Sequence, residues 1–166
     1  MSDLGGFSMW ELFRGEVETQ MGSFTAALLA VEEQSGSVEV LTQAMRAAHS
    51  IKGAARIVQL DAGVQLAHVM EDCLVAAQKA EIVLEPRGID VLLRAADVLA
   101  TLSTVQESAV AEWLKEHEAG INQLVSALGD VRAGKPPAAE AAAAAAVKPP
   151  AAQPAAAAAE IGRAHV

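Results

Sequence analysis

The stretch that decides the fold is SVEVLTQAMRAAHSIKGAARIV, residues 37–58. It contains no proline, it opens with a serine that can cap a helix, and its apolar residues recur every three or four positions. The pattern predicts an amphipathic helix with one face in the core, and its alanines favour close packing against other helices. His49 falls on the opposite, displayed face. The residues expected to face the core are Val40, Ala44, Ala47, Ile51, Ala54 and Val58.

The composition favours one all-α domain. Of the 166 residues, 52% are hydrophobic, yet there are only three Phe, two Trp and no Tyr, and much of the apolar content is alanine. Such a mixture is rich in helix formers and poor in strand formers. The length suffices for one domain with a substantial core.

Four more helices follow from caps and apolar spacing. Ser8 with Glu11 forms a capping box for the first, Asp61 can cap the third, Pro86 suits the first turn of the fourth, and Ser108 begins the fifth. Short connections predict an antiparallel four-helix bundle with a fifth helix. The inward residues are expected to be Phe13, Val17, Met21, Phe24, Leu28 and Val31; Leu66, Met70, Cys73, Leu74 and Ala77; Ile89, Leu92, Leu93, Ala96 and Leu99; and Val110, Leu114, His117, Ile121, Leu124 and Leu128.

The chain divides into four predicted segments. Residues 1–7 form a flexible N-terminus, residues 8–134 the domain, and residues 135–159 a disordered linker of alanine and proline. One codon choice for residues 160–166 spells a common sequencing-adapter oligonucleotide, so this tail is expected to be non-native or unstructured. The chain would then be the N-terminal piece of a longer protein.

Charge and cysteine content limit the function classes. The net charge is −9, and because the residues after Gly134 carry +1, the domain carries −10. Such acidity disfavours nucleic-acid binding and association with anionic membranes. The single cysteine, Cys73, excludes an internal disulfide, and no signal peptide or membrane-spanning run is visible. These features predict a cytoplasmic domain that does not insert into membranes.

The sequence predicts a phosphoryl-accepting face on the second helix. At 100° per residue, His49, Lys52 and Gly53 share a sector of about 100°, so a nucleophile, a cation and a gap lie together. Met45 lies one turn before His49, and Arg56 supplies a second cation further along. An imidazole is largely neutral at pH 7 and can attack phosphorus. Lys52 and Arg56 would neutralise the phosphoryl oxygens, and Gly53 would leave room for a partner's active site.

A second cluster, His68 and Glu71, lies on the third helix. If the second and third helices pack antiparallel, Glu71 could accept a hydrogen bond from one ring nitrogen of His49. The other nitrogen would then be unprotonated and directed outward. The domain needs no metal or cofactor of its own for this chemistry, since ATP and Mg²⁺ would come from partner proteins.

The segment from Ala48 to Arg56, together with His68 and Glu71, resembles the histidine phosphotransfer (HPt) domain of CheA-type chemotaxis histidine kinases. The longer run from Met45 to Leu74 resembles the Wsp-type hybrid kinases, which act on receiver domains that control cyclic-di-GMP synthesis. The resemblance implies that His49 is phosphorylated at Nε2, that Lys52 and His68 assist, and that Glu71 accepts from Nδ1.

The resemblance also implies which proteins the domain would interact with. The partners would be the ATP-binding catalytic domain of a CheA-type kinase and a response-regulator receiver domain, with the HPt domain itself monomeric. The domain alone would be a substrate, although the full protein would be a histidine kinase. One position departs from the family pattern. Many relatives have glycine ten residues after the histidine, where this chain has Gln59, so the geometry of the loop before Asp61 could differ from theirs.

Three alternatives stay open from the sequence. The chain could be a free-standing relay between two receivers, or a helical adaptor that carries no phosphoryl group. It could also be a metal-dependent enzyme, because His68-x-x-Glu71 with His49 has a spacing that metal sites use, although no second carboxylate–histidine pair is present. His117, Trp10 and Trp113 are interpreted as packing residues, and Cys73 as a structural thiol.

Overall fold

The computed structural model describes residues 6–34 and 37–137. The tail 160–166, most of the predicted linker and most of the predicted flexible N-terminus lie outside these described residues. Within them the secondary structure is helical, without a strand, which confirms the all-α prediction. The elements are α1 (Met9–Glu33), α2 (Val38–Ile57), α3 (Asp61–Gln78), α4 (Pro86–Thr104), a 3₁₀ turn (Glu107–Ala109) and α5 (Val110–Arg132).

The five long helices form one bundle. Helix α2 packs between α1 and α3, α4 packs against α1 and α5, and α5 also packs against α3. Side chains show that α2 and α3 are antiparallel, because Thr42 is hydrogen-bonded to Gln78 while His49 is hydrogen-bonded to Glu71. No helix in residues 6–34 or 37–137 is both long and apolar enough to cross a bilayer.

The core of α1 agrees closely with its apolar stripe. Five of the six predicted residues are buried, Met21 is only partly buried, and Trp10 and Ala27 join them. Trp10 also donates from Nε1 to the carbonyl oxygen of Val105 at 3.0 Å, and Arg14 donates from Nε to that of Ser103 at 2.8 Å. Two side chains of α1 thus satisfy carbonyl groups at the end of α4 that have no partner within their own helix.

The buried face of α2 differs from the predicted stripe. Val40, Ala54 and Val58 are only partly buried, whereas Leu41, Ala48 and Ala55 are buried. The buried sector is therefore rotated by about 40° around the helix, towards α3. The physical reason is that α2 lies between two helices, so both neighbours decide which side chains are covered.

The later helices show smaller differences. Ala77 and Leu93 are partly buried instead of fully buried. In α5 the buried residues begin at Ile121, and the predicted core residues Val110, Leu114 and His117 are only partly covered. The first half of α5 therefore packs only partly against the core, and its other side chains face solvent.

Two of the predicted helix starts have the expected chemistry. The hydroxyl of Ser8 accepts from the amide of Glu11 at 3.1 Å, and the Ser8 amide donates to Glu11 Oε2 at 2.8 Å, which completes the capping box. Pro86 is the first residue of α4.

The other three predicted starts differ from the structure in part. Ser37 is the N-cap residue of α2, as predicted, but its side chain makes no capping bond. Asp61 is the first residue of α3 and not its cap, which is Leu60, so its carboxylate acts on the positive end of the helix dipole instead. Ser108 lies in the 3₁₀ turn, and α5 begins at Val110.

Three helices end with a residue in the left-handed region. These are Gln59 (φ 57°) after α2, Ala80 (φ 58°) after α3 and Gly134 (φ 72°) after α5. In each case the next amide reaches back across the last turn: Leu60 to Ala55 at 2.9 Å, Glu81 to Ala76 at 2.9 Å and Lys135 to Asp130 at 2.8 Å. This is the Schellman pattern, which usually ends in glycine. The replacement of glycine by Gln59 thus leaves the loop geometry intact, at the cost of local strain.

We expect Gln59→Gly to stabilise the domain by about 0.5–1 kcal/mol, because glycine adopts positive φ without the clash of a Cβ atom. The gain would appear as a higher midpoint in urea unfolding, with an unchanged slope. The matched control is Gln65→Gly within α3, which should instead cost about 1 kcal/mol. An unfolding midpoint for Gln59→Gly at or below that of the wild type would contradict the account of this turn.

Candidate functional site

The antiparallel packing of α2 and α3 places His49 opposite Glu71. The His49 side chain is 66% exposed, and its Nδ1 lies 2.9 Å from Glu71 Oε1. An ionised carboxylate has no hydrogen to give, so the bond requires the ring proton on Nδ1. In the neutral imidazole the lone pair is then on Nε2, at the ring edge that does not face the carboxylate.

Lys52 holds the other oxygen of the same carboxylate. Its Nζ donates to Glu71 Oε2 at 2.6 Å, and the Lys52 and Glu71 side chains are only 14% and 16% exposed. The sequence predicted that Lys52 lies on the displayed face beside His49 and neutralises the phosphoryl oxygens. The rotation of the α2 core face explains the difference, because it brings Lys52 to the edge of the buried sector. Glu71 is therefore fixed by a cation from the same helix that carries His49.

The ionisation of Glu71 reflects two opposing effects. Burial alone raises the pKa of this carboxyl, but the hydrogen bonds and positive charges of Lys52 and His49 outweigh it, and the pKa is lowered from its ordinary value of 4.5. A lowered pKa means that the ionised carboxylate stabilises the fold above pH 4.5, and that this contribution is lost as the pH falls through the lowered value. At neutral pH the carboxylate is therefore available to accept from both partners.

His68 does not join this cluster. Its side chain is 56% exposed, and its Nε2 lies 3.4 Å from Asp72 Oδ2, one turn further along the same helix. Within the described part of the chain it makes no hydrogen bond to His49 or Glu71. The assisting role that the resemblance gives to His68 stays a prediction.

The predicted partner-facing residues lie on α2, within two helical turns of His49. Met45 is partly buried, while Gly53 and Arg56 are exposed. A Cβ atom added at Gly53 would meet nothing within 4 Å, so packing within the domain does not require glycine there. Gly53 borders an apolar groove of about 440 Å³ between α1 and α2, with Leu12 and Ile57 exposed along it. The surface next to His49 is therefore unobstructed.

The remaining candidate side chains are held in structural contacts. Cys73 is fully buried and donates from Sγ to the carbonyl oxygen of Leu128 at 3.2 Å, and burial raises the pKa of its thiol to about 12. His117 stacks on Trp113 with ring centroids 4.0 Å apart, and its Nδ1 lies 2.7 Å from the Trp113 carbonyl oxygen. Across the described residues there is no group of three or more His, Cys, Asp or Glu side chains that could hold a metal ion.

Comparison with known proteins identifies the family. A sequence model of the Hpt domain matches residues 8–131, which is most of the chain. The chain belongs to the Hpt domain family.

The similar curated proteins include chemotaxis proteins and a sensor histidine kinase. The chain is 33% identical over 145 residues to the chemotaxis protein CheA of Rhizobium meliloti, covering 82% of this chain and 19% of that protein. It is 37% identical over 75 residues to the sensor histidine kinase CheAY of Helicobacter pylori, covering 45% of this chain and 9% of that protein. The Hpt domain is therefore similar to a part of these proteins, and the chain spans about a fifth of the length of the CheA relative.

A solved structure supports the fold. The phosphorylated P1 domain of CheA3 from R. sphaeroides, crystallised with CheY6, matches with a TM-score of 0.60 and 24% sequence identity. The match covers 74% of this chain and 97% of that one. The helical bundle described above is thus shared with a CheA P1 domain.

We expect Lys52→Met to raise the pKa of Glu71, because the carboxyl would stay partly buried while losing its cation and one hydrogen bond. Carbon-detected NMR titration of the Glu71 side chain would measure the change. Lys79→Met, which removes the same charge from an exposed position just after α3, is the matched control and should leave the titration in place. An unchanged pKa in Lys52→Met would show that Lys52 does not hold the carboxylate ionised.

Proposed function

We propose that this Hpt domain is a phosphoryl carrier in which His49 accepts a phosphoryl group at Nε2 and passes it to an aspartate of a response-regulator receiver domain. One observation supports the assignment of the atom: Nδ1 lies 2.9 Å from Glu71 Oε1, which leaves Nε2 on the ring edge away from the carboxylate in a side chain that is 66% exposed. A nucleophile must display its lone pair to a second protein, and this ring does so.

The chemistry follows from the bond at Nδ1. The Nε2 lone pair attacks the γ-phosphorus of ATP, an N–P bond forms, and the bond between that phosphorus and the bridging oxygen breaks to release ADP. The ring gains positive charge but keeps its Nδ1 proton, so no base is needed to remove one. The Glu71 carboxylate stabilises that charge through the same hydrogen bond. In the second step an aspartate oxygen attacks the phosphorus and the N–P bond breaks.

The proposed partners follow from the family. The phosphoryl donor would be the ATP-binding catalytic domain of a CheA-type kinase, because the chain is similar to a CheA chemotaxis protein and to the sensor histidine kinase CheAY. The acceptor would be a CheY-like receiver, since the similar P1 domain was crystallised with CheY6. ATP and Mg²⁺ would come with these partners. ATP is an intracellular phosphoryl source, so the cytoplasm is the proposed compartment, and a Wsp-type kinase is the proposed context.

Phosphoryl incorporation tests the function. The full chain would be mixed with radiolabelled ATP, Mg²⁺ and the catalytic core of a CheA-type kinase, beside its His49→Gln variant. We expect an acid-labile, base-stable label on the wild type and none on His49→Gln, because glutamine has no nucleophilic ring nitrogen. His117→Gln, a substitution on α5 away from the site, is the matched control and should be labelled like the wild type.

The outcomes separate the alternatives. Label that persists in His49→Gln would contradict the assignment of His49. If the kinase labels only its own substrate, a receiver charged with acetyl phosphate is added to the folded domain. Transfer from that receiver would identify a relay between receivers. No label from either donor would contradict the carrier function and favour a helical adaptor.

A further inference from the structure

The outward side of His49 needs a cation that the predicted pair does not supply. A phosphoryl group on Nε2 would lie at the ring edge opposite Glu71. Lys52, the cation expected there, instead donates to Glu71 at 2.6 Å and is 14% exposed. It therefore lies on the Nδ1 side of the ring, towards α3. Another charge must face the transferred group if its oxygens are to be neutralised.

Helix geometry places Arg46 on that outward side. Arg46 is three residues before His49, so the two side chains leave adjacent turns about 5–6 Å apart at Cβ. Lys52 lies on the α3 side of His49 around the helix, and Arg46 lies on the α1 side. Helical side chains lean towards the N-terminus, which inclines the His49 ring towards the turn that carries Arg46.

The surroundings of Arg46 leave it available. Its side chain is exposed, and in residues 6–34 and 37–137 it makes no ion pair or hydrogen bond. It lines a polar groove of about 570 Å³ between α1 and α2, together with Gln20 and Ser23 of α1 and Glu39, Gln43 and Ser50 of α2. Ser50, one turn after Arg46 on the same side of α2, closes the end of the groove that lies beside the turn carrying His49. An anionic group at Nε2 thus has open space and an unpaired guanidinium on the same side.

Arg56 is less well placed for this role. It lies seven residues after His49, which is two turns or about 10 Å along the helix axis, so its side chain would have to span the turn of Gly53 to reach the ring. Arg46 is one turn away and on the side to which Nε2 is directed. A guanidinium also presents paired N–H donors that match two phosphoryl oxygens.

We propose that Arg46 contacts the phosphoryl group at His49 Nε2 and neutralises its charge during transfer. The inference rests on the proposed carrier function and adds a residue to it. Arg46 donates hydrogen bonds to the phosphoryl oxygens and keeps its protons, so the bonds made and broken are those of the transfer itself. Glu71 and Lys52 hold the buried side of the ring, and Arg46 serves the displayed side.

Two phosphoryl donors test the contact. The first is the kinase catalytic core with ATP and Mg²⁺. The second is phosphoramidate, a small donor whose N–P bond breaks to release ammonia as the phosphoryl group passes to the ring. The rate of phosphorylation would be followed by mass spectrometry on the peptide that contains His49, for the wild type and for Arg46→Ala, Arg46→Lys and Arg87→Ala. Arg87 is an exposed arginine on α4, so its variant matches the change in charge.

We expect Arg46→Ala to slow both reactions about tenfold or more, through kcat in the kinase assay, as the loss of one charge-assisted hydrogen bond predicts. Arg46→Lys should recover part of the rate, and Arg87→Ala should match the wild type. Circular dichroism would confirm that each variant is folded.

Two results would overturn the proposal, and a third would count against the carrier function instead. Equal rates for Arg46→Ala and Arg87→Ala would exclude the contact. A defect with the kinase alone, seen in KM while phosphoramidate reacts normally, would show that Arg46 docks the partner and does not touch the phosphoryl group. If the kinase fails to label even the wild type, the carrier function is what fails, and the phosphoramidate rates still test Arg46.

Discussion

The site depends on one carboxylate that two side chains of another helix share. Glu71 on α3 accepts from His49 at one oxygen and from Lys52 at the other, at 2.9 Å and 2.6 Å. Lys52 keeps the carboxylate ionised and in position, and the carboxylate in turn fixes the proton on Nδ1. The exposed ring would otherwise exchange its proton between the two nitrogens. The chemistry of His49 is therefore set by a partly buried ion pair beneath it.

The bundle makes this arrangement possible because α2 and α3 run antiparallel in close contact. The connection between them is short and turns through Gln59, whose positive φ allows the Leu60 amide to close the end of α2. Small residues on the buried face of α2, Ala44, Ala48 and Ala55, let the helices approach closely. The same face positions Lys52 at its edge and His49 beyond it. Helix packing thus explains why Lys52 is partly buried and bonded to Glu71, while the His49 ring is exposed.

Much of the fold was predictable from the sequence, because apolar spacing and capping residues are local signals. The capping box at Ser8, the start of α4 at Pro86 and the stripe of α1 are examples. The rotation of the α2 core face was not predictable, since the positions of α1 and α3 determine it. For the same reason Lys52 was expected to face the phosphoryl oxygens and not the Glu71 carboxylate. Asp61 was taken for a cap because aspartate suits that position, yet the helix begins one residue earlier.

The sequence predicted most residues of the site, but fewer of the hydrogen bonds and ion pairs that join them. The spacing of His49 and Glu71 indicated a hydrogen bond once antiparallel packing was assumed, and the structure has that bond. His68 was grouped with them because it precedes Glu71 by three residues. In the structure its ring lies on the exposed side of α3, beside Asp72 one turn further along. Arg46 carried a signal that was overlooked: it is a cation one turn before His49 with no acidic residue three or four positions away on its helix.

The most direct test of this account is the tautomer of the His49 ring, read from the ¹⁵N chemical shifts of its two nitrogens at a pH where the ring is neutral. We expect the wild type to carry its proton on Nδ1 and to leave Nε2 unprotonated, and Glu71→Gln to lose this preference. A wild-type ring with its proton on Nε2 would contradict it, because the nitrogen proposed to attack phosphorus would then have no free lone pair.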